Sequence, residues 1–176
     1  MDTKKKLQIV IFIAAITTIF AGIAFGRAKV LSAKSYNPQM CANIAGWDWI
    51  RRPGAQATWI FDAEPLQSAD MKKVYLNIEA LATNGVSGGS GYDTTVKVSV
   101  VGKSSFTSTV HLINPYRPQD PDDSQGVGYR VYGHSTIIPQ SLIKDAKDIS
   151  VTIMWPTVDS NHVAVNKDSV TIGYIK

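Results

Sequence analysis

The sequence has a single cysteine, Cys41, in 176 residues. No disulfide can close within the chain, so a disulfide-stapled scaffold is excluded. Cys41 follows Pro38-Gln39-Met40 well beyond the nearest apolar run, a context that does not suit lipid attachment, and it reads as a small half-buried side chain. Histidine is nearly as scarce. His111, His134 and His162 stand far apart, whereas a zinc site needs about four converging ligands. A blue-copper arrangement would need a late cysteine with histidine and methionine close behind, and Cys41 comes too early. Glutamate occurs only at Glu64 and Glu79, and no His/Asp pairing is signalled beside a serine. These absences leave no catalytic signature, and the chain is expected to be non-enzymatic.

A basic surplus is also missing from most of the chain, although the overall pI is about 9.1. Residues 1–34 carry six Lys and Arg against Asp2 alone, a net of +5, and the remaining 12 Lys+Arg and 13 Asp+Glu give −1. The basic character belongs to the N-terminal segment. No cationic stripe is left to neutralise phosphates, and nucleic acid is excluded as a partner.

What is present begins with Leu7–Gly26, 20 residues whose only polar side chains are Gln8, Thr17 and Thr18. At about 1.5 Å per residue a helix of this length spans the ~30 Å hydrocarbon core of a bilayer. The sequence therefore predicts a basic tail over 1–6, a transmembrane helix over 7–26 in contact with membrane lipid, a linker over 27–46 and an extracytoplasmic domain over 47–176. Two fates stay open. The length of the run favours a retained single-pass anchor, while Ala24 and Gly26 place small residues for signal cleavage after Gly26 and secretion.

From Trp47 onward the pattern is β. Val74, Leu76, Ile78 and Ala80 alternate with Tyr75, Asn77, Glu79 and Leu81, the period of two of a strand with one buried face. Val96, Val98 and Val100 repeat it, as do Phe106, Ser108, Val110 and Leu112, then Ile149, Val151 and Ile153, and finally Val170, Ile172 and Tyr174. Val101-Gly102-Lys103 suits a hairpin turn, and Pro139–Lys144 offers the one helical turn. About seven or eight short strands with Gly, Pro and Asp turns predict an all-β antiparallel sandwich behind one N-terminal transmembrane helix.

The order of features resembles the galactose-binding-like jelly roll of carbohydrate-binding modules. Thr58-Trp59-Ile60-Phe61 precedes a loop and the strand Val74–Ile78. Later, Ile138-Pro139 leads through a short turn into Ile149–Ile153, and Asp168–Tyr174 looks like the terminal strand of that family. The resemblance implies a jelly-roll sandwich, a glycan ligand and a structural calcium for which Asp168 matches the terminal position. No other cofactor is expected. Asp120 and Asp122, in the acidic loop Asp120-Pro121-Asp122-Asp123, are further oxygen donors for such an ion.

Aromatic residues are the remaining candidates. Trp47 and Trp49 are two apart and face one side of a strand, where a sugar ring could stack. Tyr92 and Tyr116 join them from loops, while Trp59 and Trp155 are expected to fill the core. Two functions stay open: an accessory or structural subunit with protein partners in a membrane or surface assembly, and a carbohydrate-binding module for envelope or extracellular glycans.

Overall fold

The computed structural model describes residues 28–83, 94–113, 129–155 and 163–176. Twelve strands occur among them. One sheet holds β1 (Ala28–Ser32), β3 (Ala42–Ile44), β4 (Trp47–Ile50), β6 (Lys73–Thr83), β9 (Tyr129–Ile137), β11 (Val163–Val165) and β12 (Val170–Ile175). The other holds β2 (Ser35–Gln39), β5 (Gln56–Asp62), β7 (Thr94–Val101), β8 (Ser105–Leu112) and β10 (Asp148–Met154). All pairings are antiparallel. β6 is the axis of the seven-stranded sheet, with β9 along one side and β12 and β11 end to end along the other. The five-stranded sheet runs in the order β2-β5-β10-β7-β8.

The strand-period residues form the core. Val74, Leu76, Ile78 and Ala80 of β6 face Ala57, Trp59 and Phe61 of β5, with Ile149, Val151 and Ile153 of β10 and the valines of β7 in the same cluster. Trp59, Phe61, Ile149 and Ile153 are entirely buried, each contributing roughly 1.5–3 kcal/mol relative to exposure. Trp59 fills the core as expected, and Trp155 packs half-buried at its margin. The result is an antiparallel β-sandwich.

Residues 27–46, expected as a linker, instead supply three edge strands, and the folded domain begins by Ala28. β1 pairs with β12 in one sheet, and β2 then pairs with β5 in the other. Pro38 lies opposite Ala57 on edge strand β2, and an edge is where a strand tolerates proline. β3 and β4 form a hairpin whose two turn residues, Ala45 and Gly46, both have positive φ, the geometry that matches strand twist. The β7–β8 turn forms where expected, but Gly102 is needed there for space. Its φ is not left-handed, and an added Cβ would lie 2.2 Å from the Leu142 carbonyl oxygen. That carbonyl belongs to the short helical turn Gln140–Ile143, which coincides with the helical segment read from the sequence.

No helix among the described residues is long and apolar enough to cross a membrane. The Leu7–Gly26 span lies outside the described residues.

Candidate functional site

Strand alternation sends every second residue of the five-stranded sheet away from the core, and register sorts these residues into rows. The central row crosses all five strands as Asn37, Thr58, Thr152, Ser99 and Thr107. Toward one end lies Gln39, Gln56, Met154, Lys97 and Thr109; toward the other, Ser35, Ile60, Ser150, Val101 and Ser105. Eleven of these fifteen positions are Ser, Thr, Asn or Gln, and Lys97 carries the only charge. The surface is thus built for hydrogen bonding without net electrostatic attraction.

Neighbouring strands hold these groups in place. Thr58 and Thr152 hydroxyls bond each other at 2.9 Å, Thr107 donates to Ser99 at 3.2 Å, and Gln56 donates its amide to Gln39 at 2.7 Å. A hydroxyl pair uses one proton and one lone pair, so each pair keeps one donor and three acceptor positions for a ligand. The rows end on one side at a dip of about 170 Å³ lined by Gly54, Ala55, Gln56, Lys97, Met154 and Trp155. This supplies apolar and aromatic surface beside the amides. At the other end stand two ion pairs, Lys34–Asp148 and Lys103–Asp145.

That charged end also carries the larger cavity, about 380 Å³, where the β5–β6 and β9–β10 connections run side by side. Leu66, Met71 and Ile143 form its apolar part, and Gln67, Gln140 and Lys144 are among its polar walls.

A third polar cluster ties the sheets together. The Asp48 carboxylate, buried in β4, accepts from the Tyr36 hydroxyl at 2.7 Å and from Asn43 Nδ2 at 2.9 Å. Burial, then the Asp48 hydrogen bond and charge, hold the Tyr36 phenol above the usual tyrosine range. Burial and Asp48 likewise push the Cys41 thiol up. Tyr36 also packs on Trp59, ring centroids 5.0 Å apart, and the Trp59 indole N–H reaches the carbonyls of Asn166 and Lys167. The Asp48 carboxylate at its centre is buried and joins strands of both sheets, which suits a structural clamp.

Trp47 and Trp49 do share a face, the outer one of the seven-stranded sheet, since their neighbours Asp48 and Ile50 point inward. Trp49, however, is only 3% exposed, with the Arg51 guanidinium carbon 4.9 Å from its ring centre. It is packed and not presented, and the candidate stacking surface there reduces to half-buried Trp47. Tyr92, Tyr116, Asp120 and Asp122 lie outside the described residues. Asp168 is exposed in a 3-10 turn, its backbone N–H bonded to Asn166 Oδ1. Among the described residues no three His, Cys, Asp or Glu side chains gather in a way that could hold a metal ion. The hydroxyl face was not singled out from the sequence; its only trace there is the polar half of each alternating strand.

No family model and no curated protein matches the chain. Among solved structures, it is similar to the Agl-KA catalytic domain at 11% identity and TM-score 0.47, covering 85% of this chain and 27% of that one. It is similar to BuGH86 in complex with neoagarooctaose at 11% identity and TM-score 0.44, covering 84% of this chain and 18% of that one. It is also similar to the carbohydrate-binding module CBM36 in complex with calcium and xylotriose, at 11% identity and TM-score 0.38, covering 83% of this chain and 98% of that one.

Proposed function

We propose that the domain is a non-catalytic glycan-binding sandwich of the jelly-roll kind, held at the outer side of a membrane by residues 7–26. The observation that carries this is the row Asn37–Thr58–Thr152–Ser99–Thr107, an uncharged set of hydrogen-bonding groups crossing an entire sheet. A polysaccharide offers hydroxyls at regular spacing and little charge, so its recognition needs fixed donors and acceptors more than Coulomb attraction. The Trp155 dip adds apolar surface for the C–H face of one sugar ring.

Affinity electrophoresis of the full chain through gels containing neutral β-glucan, xylan or mannan tests this. At least one polymer should retard the chain, and Thr58→Val with Thr152→Val should weaken retention about tenfold, the equivalent of one or two lost hydrogen bonds. Retention that is absent with every polymer, or untouched by the double substitution, would remove the face as the site.

A second function, accessory subunit of a membrane or surface assembly, is favoured by the other outer face, where Val30 is 67% and Ile137 56% exposed. Co-purification of a stoichiometric protein partner from native membranes, lost on Val30→Asp, would favour it over glycan binding.

A further inference from the structure

The cavity between the two connections has a chemistry different from the hydroxyl face. The segment after β5, from the 3-10 turn Glu64–Leu66 to Met71, forms one wall, and Gln140–Asp145 forms the other. Both walls are braced. Gln67 Nε2 donates to the Ala146 carbonyl, and Gln140 Nε2 donates to the Met71 carbonyl at 3.3 Å. Lys103 N–H donates to the Leu142 carbonyl at 2.9 Å, and the close approach of Gly102 seats the helical turn on the β7–β8 hairpin.

The bracing fixes which atoms are left for a ligand. With their amide nitrogens engaged on the backbone, Gln67 and Gln140 each keep Oε1 as an acceptor, and an acceptor calls for a hydroxyl or N–H donor. Ser141 adds a hydroxyl. Asp145 is already engaged by Lys103 at 2.7 Å. Lys144 makes no ion pair among the described residues. The Lys103 hydrogen bond and charge, then the Lys144 charge, hold the Asp145 carboxyl below the usual range, so two lysines stand against the one carboxylate of the cavity wall. Leu66, Met71 and Ile143 give it an apolar side. The volume of about 380 Å³ lies at the lower end of the range for small-ligand sites.

A simple carboxylate would leave both glutamine acceptors unused, and a neutral sugar would leave Lys144 unused. We propose that this cavity is a second binding site, taking one hydroxylated ring that bears a carboxylate: a uronic acid residue at the end of an acidic glycan. The site extends the glycan function proposed above and rests on it. The ring hydroxyls donate to Gln67 and Gln140, its C–H face lies on half-buried Met71, and its carboxylate meets Lys144.

Isothermal titration of the full chain in detergent with methyl glucuronide, methyl glucoside and acetate tests this. Glucuronide should bind at least about tenfold more tightly than glucoside, the worth of one charge-assisted hydrogen bond, and acetate should bind more weakly still. Lys144→Gln, at an exposed position that does not endanger folding, should bring glucuronide down to the glucoside level. It should also leave retention on neutral polymers unchanged. Equal binding of glucuronide and glucoside, no binding of either, or glucuronide binding indifferent to Lys144→Gln would overturn the second site. Loss of retention on neutral polymers by the unsubstituted chain would instead overturn the hydroxyl face, so the two failures are distinguishable.

Discussion

The two outer faces of the sandwich obey the same strand geometry and differ in chemistry. On the five-stranded sheet the middle row is polar from edge to edge. On the seven-stranded sheet one row reads Val30, Gly173, Tyr75, Ile137, and another puts Trp49 beside Ala42 and Ala164. β propensity favours Thr, Val, Ile and Tyr alike on a pleated surface. A neighbouring row on the seven-stranded sheet, Ser32, Thr171, Asn77 and Ser135, is polar as well, so propensity explains why either set forms strands but not why a whole apolar row stands only on the seven-stranded face. The inner faces, by contrast, are interchangeable in kind, because both answer to the same demand for burial. What distinguishes the outer faces is thus the best guide to what each meets.

The largest expected effect comes from breaking the contact that keeps the two faces on one body. Trp59 is fully buried in β5, stacks on Tyr36 and donates to the turn before β12. Trp59→Ala should cost about 3–5 kcal/mol through lost burial and the cavity left behind. Urea unfolding followed by circular dichroism should show the midpoint collapse and both faces lost together. A loss below about 1 kcal/mol would mean that the sheets hold together without it.

Much of this frame was legible in the sequence, for a physical reason. β6, β7, β8, β10 and β12 each bury one face, and that imposes a period of two which the residues display. β1, β2 and β3 escaped because edge strands bury little. Their side chains are mostly exposed, no alternation is enforced, and Pro38 reads as a breaker although an edge tolerates it. β11 escaped for the opposite reason: Val163, Ala164 and Val165 are all buried, so no polar half marks the strand. The candidate face was harder still. Thr58, Ser99 and Thr152 lie in three strands far apart in sequence, and only the register of the folded sheet makes them neighbours. The Trp47/Trp49 pair shows the limit of periodicity: it places both rings on one face but cannot tell which one is covered.

A smaller effect sharpens the account of how the faces are joined. Tyr36, on the five-stranded sheet, donates to Asp48 on the other. Tyr36→Phe should cost about 1–2 kcal/mol, since it leaves the buried carboxylate with one fewer donor. The pH signature separates this from simple packing loss. The folded state holds the Tyr36 phenol protonated to higher pH than the unfolded chain does. The unfolded state therefore releases its proton first, near the ordinary tyrosine value of about 10, and stability falls as pH rises beyond that point. Below it the contribution is fully present. Urea midpoints measured from pH 8 to 11 should decline in the upper part of that range, and Tyr36→Phe should flatten the decline. An unchanged slope in the variant would assign the alkaline loss to other groups.

The smallest expected effect is the one that most directly tests the division of labour between the faces. Val30→Thr combined with Ile137→Thr puts hydroxyls on the apolar row while keeping β-branched side chains that suit strands. Both positions are more than half exposed, so little buried area is lost and stability should stay within about 0.5 kcal/mol. If glycan recognition belongs to the five-stranded sheet, retention on neutral polysaccharide should not change either. Should these two hydroxyls instead create or strengthen retention, then any hydroxylated strand face would serve, and the registered row over Thr58 and Thr152 would lose its claim to be a site. A row that recognises a polymer must do so by the positions of its groups, which β2, β5, β10, β7 and β8 fix together and which a pair of hydroxyls on the opposite face cannot reproduce.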